Sequence, residues 1–536
     1  MRAMSEQEQR QFWHGVRLQG AGTLVSRILG MLRDVATASL LGLASGGVMD
    51  AFAIAFRGPD LIRRLLGEGA FTASFIPALA ARWNESEEAG WQLVQSIVQR
   101  VSLQFGGLVL VSWLLCAGLL WTENHLSVGL IALFLPYLWF ILLAAQLAAT
   151  LQSLGHFTAP AWAPLMVNLL WLATAWWIAP AMTSNNATQA ILLATAILIG
   201  GICQFCLQGW MVFRLGYRWQ PLSPETAKAL HREVRRIHWS TMPTLWGLSI
   251  THVNTFLDTA MAWLLAPSGA TAALYFAERL FQFPVGLIGI ALGSALLPLL
   301  SRHAARKDWK ALRDDLTQAL QLAFVVGMPA SAGLACLAEP VTIALFQHGE
   351  FRLDDALRMA GVVRGYAFGV MIFALLPVLI RGRYALGDYR GPALWGITTV
   401  LLNIIVNGIV YSLEGGAAGM AIVTSIAAVC LCLGLLKRFT MGRVSLRWKS
   451  LGISFFKALL CSGGMAISLI LFQTFAANVL YQPLQTLTST TARLLTLALF
   501  LLVGIVSYSL LAIIFRQYEW LWLFGRLRKR DETNLP

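Results

Sequence analysis

The chain has 536 residues, 57% of them hydrophobic and 12% charged, with a formal net charge of +14 and a mean hydropathy of +0.66. A soluble chain carries roughly twice that share of charge, and apolar sequence arriving in long blocks excludes a single soluble core and calls for a bilayer. The positive charge does not argue for nucleic acid, because most Lys and Arg fall in short loops between the blocks, where they set orientation in a membrane.

The N-terminal stretch MRAMSEQEQRQFWHGVR is polar and mixed in charge. It lacks the basic, apolar, cleavage-site order of a signal peptide, so insertion is expected to rely on the first span. A spanning helix needs roughly 20 mostly apolar residues, and about fourteen such stretches occur. They lie near 20–43, 48–80, 92–121, 126–153, 160–180, 188–214, 238–266, 270–300, 314–345, 357–381, 392–412, 416–436, 451–475 and 491–515, and are called spans 1 to 14 below.

Charges inside spans carry the information, since a central charge costs at least about 2.5–3.5 kcal/mol and must face a cavity or a partner. Span 1 reads GTLVSRILGMLRDVATASLLG, with Arg27 and Asp34 seven apart on one face and Arg33 beside Asp34. A structural Arg–Asp pair or snorkelling from the span end is the plainer alternative to a binding role. Span 2 holds Asp50, Arg57, Asp60, Arg63, Arg64 and Glu68, too many charges for a lipid-facing helix. The i, i+4, i+8 spacing of Asp60, Arg64 and Glu68 predicts a ladder on one face, and Gly58-Pro59 predicts a break before it.

Further along, Cys203 and Cys206 form a C-x-x-C in span 6 with no second pair or nearby His, and are expected to be buried small hydrophobes. Asp258 is a lone carboxylate in span 7, and span 8 carries Glu278 and Arg279. In span 11, Asn403 and Asn407 are four apart. With Asp258 they fit either a small cation or ordinary interhelical hydrogen bonds.

The loops test the topology. Those at 214–238, 302–313, 381–391 and 437–449 and the tail at 526–530 are rich in Lys and Arg, whereas 44–47, 181–187, 267–270, 413–416 and 476–490 contain none. The alternation places the basic loops and both termini in the cytoplasm. LGHFTAPA at 154–161 and LGDYRGPA at 386–393 match after spans 4 and 10, an internal repeat. Six spans return the chain to the same side, so the two halves are parallel repeats.

The expected fold is therefore an all-α polytopic membrane protein with two six-helix lobes related by a pseudo-two-fold axis around a central cavity. The lobes are 1–214 and 238–438, joined by a cytoplasmic linker at 215–237, with two additional helices at 451–515 and a basic tail at 516–536. Arg27, Arg33, Arg63 and Arg279 would line the cavity, where the guanidinium fork suits phosphate oxygens. No nucleophile motif, P-loop or ATP-binding domain is present, which points to a transporter and not an enzyme.

The stretches SRILGMLRD, MDAFAIAFRGPDLIRRLLGEGAF and ERLFQFPVGLIGIALGSALLP resemble the MurJ (MviN) family, lipid II flippases of the multidrug/oligosaccharidyl-lipid/polysaccharide exporter superfamily. The resemblance implies fourteen spans in the bacterial inner membrane and movement of lipid II, the undecaprenyl-pyrophosphate-linked peptidoglycan precursor, between leaflets by alternating access. It places substrate contacts on Arg27, Arg33, Asp34, Asp50, Arg63, Arg64, Glu68, Glu278 and Arg279, and gives the last two spans a groove for the lipid tail. Some members bind sodium as a coupling ion, which implicates Asp258, Asn403, Asn407 and Thr424, although an Asp is expected where Asn407 stands. Gln282 likewise stands where some members have Glu. No other cofactor is implied, and the partners are lipid II and membrane lipids. The competing readings are an exporter of another polyprenyl-pyrophosphate-linked oligosaccharide, of the O-antigen type, and an ion-coupled multidrug exporter.

Overall fold

The computed structural model describes residues 25–43, 46–67, 70–122, 125–440, 445–479 and 490–523, and all regular structure among them is helical. Among the described residues, ten helices are long and apolar enough to cross a membrane. They occupy spans 3 to 6 and 9 to 14, from Glu87–Leu120 to Thr490–Ile514. Helices at 25–41, Val48–Gly67 with Ala70–Glu85, Pro224–Leu265 and Ala270–Ala305 stand at spans 1, 2, 7 and 8. These four positions carry the intramembrane charges singled out above. Lipid explains the surface: span 3 presents Leu103, Leu110 and Leu115 outward, Leu103 at 78% exposure, a pattern that water would penalise.

The chain divides into two compact units, residues 1–263 with 349–351, and residues 264–348 with 352–536. In the first, span 4 (Leu126–Ser153) is the hub and packs on spans 2, 3 and 6, while span 5 packs on span 6. In the second, span 10 (Leu353–Ala385) packs in the same way on spans 8, 9 and 12, while span 11 packs on span 12. The repeat seen in sequence is thus repeated in packing. The matching motifs also make matching turns. Gly155 and Gly387 adopt left-handed φ of 79° and 75°, the conformation that closes a helix and suits glycine. The next amides, of His156 and Asp388, return to Leu151 and Arg383 at 2.8 and 3.0 Å.

The segment expected as a linker is different in kind. Residues from Pro224 onward are the start of one helix that runs to Leu265 through span 7. Its buried Leu230, Val234 and Ile237 recur every three or four residues and make one apolar face. Glu233 pairs with Arg82, and His231 meets Arg100 at 3.3 Å. These contacts hold the segment within the first unit, and the hydrogen bond that Arg82 donates to Glu233 raises the Arg82 pKa above its usual value.

Two local expectations are corrected. Pro59 lies inside the continuous helix Val48–Gly67, so the Gly58-Pro59 pair does not break it; the missing donor costs one backbone bond, and the flanking turns carry the helix through. Cys203 and Cys206 are exposed, not buried, because their side of span 6 faces away from the unit and an apolar thiol is at ease on a lipid-facing surface.

Spans 13 (Trp448–Val479) and 14 (Thr490–Ile514) pack on each other and both on span 9. The junction is polar at one level. The buried Tyr508 hydroxyl donates to the Val325 carbonyl of span 9 at 2.8 Å and lies 3.3 Å from the side-chain oxygen of Gln517. Gln517 is wholly buried, turned inward after Arg516, whose φ is 50°.

Candidate functional site

In the first unit, the helix at 25–41 sets Arg33 and Asp34 at its inner side, with Asp34 buried. Arg33 donates from Nε and Nη2 to one Asp34 oxygen at 3.0 and 2.8 Å, and from Nη1 to the Asn168 side-chain oxygen at 3.1 Å. Its guanidinium carbon sits 4.1 Å from the ring centroid of Trp171, within cation–π range. The Trp171 indole N–H donates to Thr37 Oγ1 at 2.9 Å, and Thr37 donates to the Arg33 carbonyl at 2.8 Å. Arg27, seven residues before Asp34, is exposed.

The helix Val48–Gly67 positions the second cluster. Buried Asp60 receives Arg63 Nη2 at 2.8 Å on one oxygen and Arg64 Nε at 2.9 Å on the other. One carboxylate thus serves two guanidiniums. The Asp60–Arg64 step of the expected ladder forms; Glu68 lies outside the described residues. Arg57 and Asp50 are both buried, and Arg57 donates to Thr259 Oγ1 of span 7 at 3.0 Å. Around these, Phe52, Phe56, Phe134 and Trp171 meet edge to face with centroids 5.3–5.7 Å apart, an arrangement that fixes spans 2, 4 and 5 together.

In the second unit, Glu278 is buried on Ala270–Ala305 and accepts from the Gln282 amide one turn later. Gln282 therefore acts as a neutral donor to a neighbouring carboxylate. Arg279 lies over the Tyr275 ring at 4.9 Å. Elsewhere in this unit Asn407 donates to Asn403 at 2.8 Å, and Asn403 donates to Thr424 Oγ1 at 3.4 Å. The structure thus brings Asn403, Asn407 and Thr424 together. Asp258, also buried, belongs to the first unit. Among the described residues no three His, Cys, Asp or Glu side chains gather as a metal site.

The residues that sequence reasoning missed are Asn168, Trp171 and Thr259, the neutral partners of the arginines. A polar amide inside an apolar span was a signal for Asn168; nothing marked Trp171 among the 20 tryptophans of the chain.

The sequence model of the lipid II flippase MurJ matches residues 37–489. The chain belongs to the MurJ lipid II flippase family. A Haemophilus influenzae protein named "Probable lipid II flippase MurJ" is 32% identical over 447 residues, covering 77% of this chain and 84% of that one. The lipid II flippase MurJ of Burkholderia cenocepacia is 30% identical, covering 78% and 82%. A solved MurJ structure in an inward closed conformation shares the fold, with a TM-score of 0.73 at 22% identity over 94% of this chain and 99% of that one. An inward-facing multidrug-resistance MATE transporter is more distant, with a TM-score of 0.63 at 15% identity, covering 77% and 94%. MurJ proteins are lipid flippases, so this chain is a multi-pass membrane transporter and not an enzyme.

Proposed function

We propose that this chain moves lipid II from the cytoplasmic to the periplasmic leaflet of the bacterial inner membrane by alternating access, with Arg27, Arg33, Arg63 and Arg279 taking the pyrophosphate. Both termini are cytoplasmic in this reading, as the alternating charge of the loops supports. The observation that supports it is the gathering of arginines on the charged spans of the first unit, Arg33 beside Asp34 on span 1 and Arg63 and Arg64 about Asp60 on span 2. Guanidinium groups match phosphate oxygens with a planar fork and stay charged, and their attraction is strong where the dielectric is low. Asp34 sets Arg33, and spans 13 and 14 offer apolar outer faces, including Phe456, Leu471 and Leu502, to the polyprenyl tail.

The likeness to a MATE transporter raises a multidrug exporter, but a site for cationic drugs needs surplus carboxylate. An O-antigen-type exporter shares the pyrophosphate chemistry and differs in the sugar. Rescue of a flippase-depleted strain, scored by precursor held in the cytoplasmic leaflet, decides between them. The parent chain restores flipping, and Arg27→Ala, Arg33→Ala, Arg63→Ala and Arg279→Ala each abolish rescue while still inserting. Normal rescue by most of the four would overturn the arginine reading.

Sodium as coupling ion is proposed on the oxygen-rich set Asn403, Asn407 and Thr424 together with Asp258. Hard cations take such oxygens. Sodium then raises the thermal stability of the parent but not of Asp258→Asn; equal response in both removes Asp258 from any ion site.

A further inference from the structure

We propose that Asn168 and Trp171 of span 5 are positioning residues that present the Arg33 guanidinium edge-on to a phosphate oxyanion; this rests on the reading of Arg33 as a pyrophosphate-binding residue. A guanidinium has five N–H donors. Among the described residues three are taken, two by Asp34 and one by Asn168, which leaves two at the edge of the plane. One face of that plane is closed by Trp171 at 4.1 Å. A ligand oxygen therefore meets the group in the plane, along the remaining N–H bonds, the geometry in which guanidinium binds phosphate best.

The support is built and not incidental. Asn168 and Trp171 are three apart on one helix, so both reach the same neighbour. Asn168 is nearly buried, and its amide nitrogen lies 3.4 Å from both the carbonyl and the hydroxyl of Ser26, a residue on the same helix as Arg33. Trp171 is wholly buried and fixed by Thr37 and by the edges of Phe52 and Phe56. Directly after it, residues Thr174–Ile178 form one π-helical turn. Such a turn inserts a residue without breaking a helix and recurs at functional sites; here it turns the rest of the span independently of the face that holds Arg33. Asp34 alone would neutralise Arg33 and leave it free to pivot. The neutral amide and ring add direction without adding negative charge.

The test is a double-mutant cycle on the full chain in lipid nanodiscs, with undecaprenyl pyrophosphate as probe and undecaprenol, which has no phosphate, as control. Trp171→Leu is expected to weaken pyrophosphate binding about tenfold and Asn168→Ala by a similar factor, with Trp171→Phe, which keeps a π face, restoring most of the loss. Undecaprenol binding stays unchanged throughout. In an Arg33→Ala background the Trp171→Leu step shrinks to less than about twofold, because it acts through Arg33. The proposal is overturned if Trp171→Leu weakens both probes alike, or if its full effect persists without Arg33. Should Arg33→Ala itself bind pyrophosphate like the parent, the reading of Arg33 fails first, and the positioning role with it.

Discussion

The polar side chains of span 2 are held by opposite charges, and those of span 11 by amides and a hydroxyl. Asp60 is clasped by Arg63 and Arg64, whereas Asn407, Asn403 and Thr424 pass hydrogen bonds from one to the next. Both lie in helices that must satisfy polar groups without water. The difference is one of kind. A chain of neutral amides ties span 11 to span 12. A carboxylate shared between two guanidiniums holds charged groups on one helix, and guanidiniums are the donors that suit an anion. Ion pairing in the first unit is thus a means of keeping arginines in the membrane.

The comparison predicts unequal costs. Asp60→Ala removes the one carboxylate holding two arginines and is expected to destabilise the protein by about 3 kcal/mol, the scale for breaking one side of a buried pair; thermal unfolding in a fixed detergent measures it. Thr259→Val takes a hydrogen bond from the buried Arg57 and should cost about 1.5 kcal/mol, as for neutral partners of charged groups. Asn407→Ala is expected to cost only about 0.6 kcal/mol, the average for an interhelical hydrogen bond in a membrane protein. Equal losses for Asp60→Ala and Asn407→Ala would break the distinction. A sodium-dependent loss at Asn407 would sharpen it, because the neutral chain would then hold an ion.

The sequence made the spans and the arginines legible, because both follow from local rules: apolar length, and the cost of charge at membrane depth. The repeat was legible for a similar reason, since the turns at Gly155 and Gly387 need the same backbone and so keep the same letters. The partners of Arg33 were not. Asn168 and Trp171 lie 135 and 138 positions away in the chain, and no periodicity within one helix points across such a gap. Pro59 misled because a proline's local cost was taken as decisive, whereas a helix packed along its length absorbs one missing bond. In the segment 215–237 the charges mark a cytoplasmic linker, and Leu230, Val234 and Ile237 add a buried helical face that the charges overshadow in the sequence.

The junction at Tyr508 has a consequence for the order in which the protein is completed. Its hydroxyl meets Val325, far back in the chain, and Gln517, nine residues ahead. The hydroxyl and the glutamine both follow spans 9 and 13 in the chain, so the polar seam between span 14 and span 9 is complete only once Tyr508 and Gln517 have been made. The contact joins residues nearly two hundred positions apart.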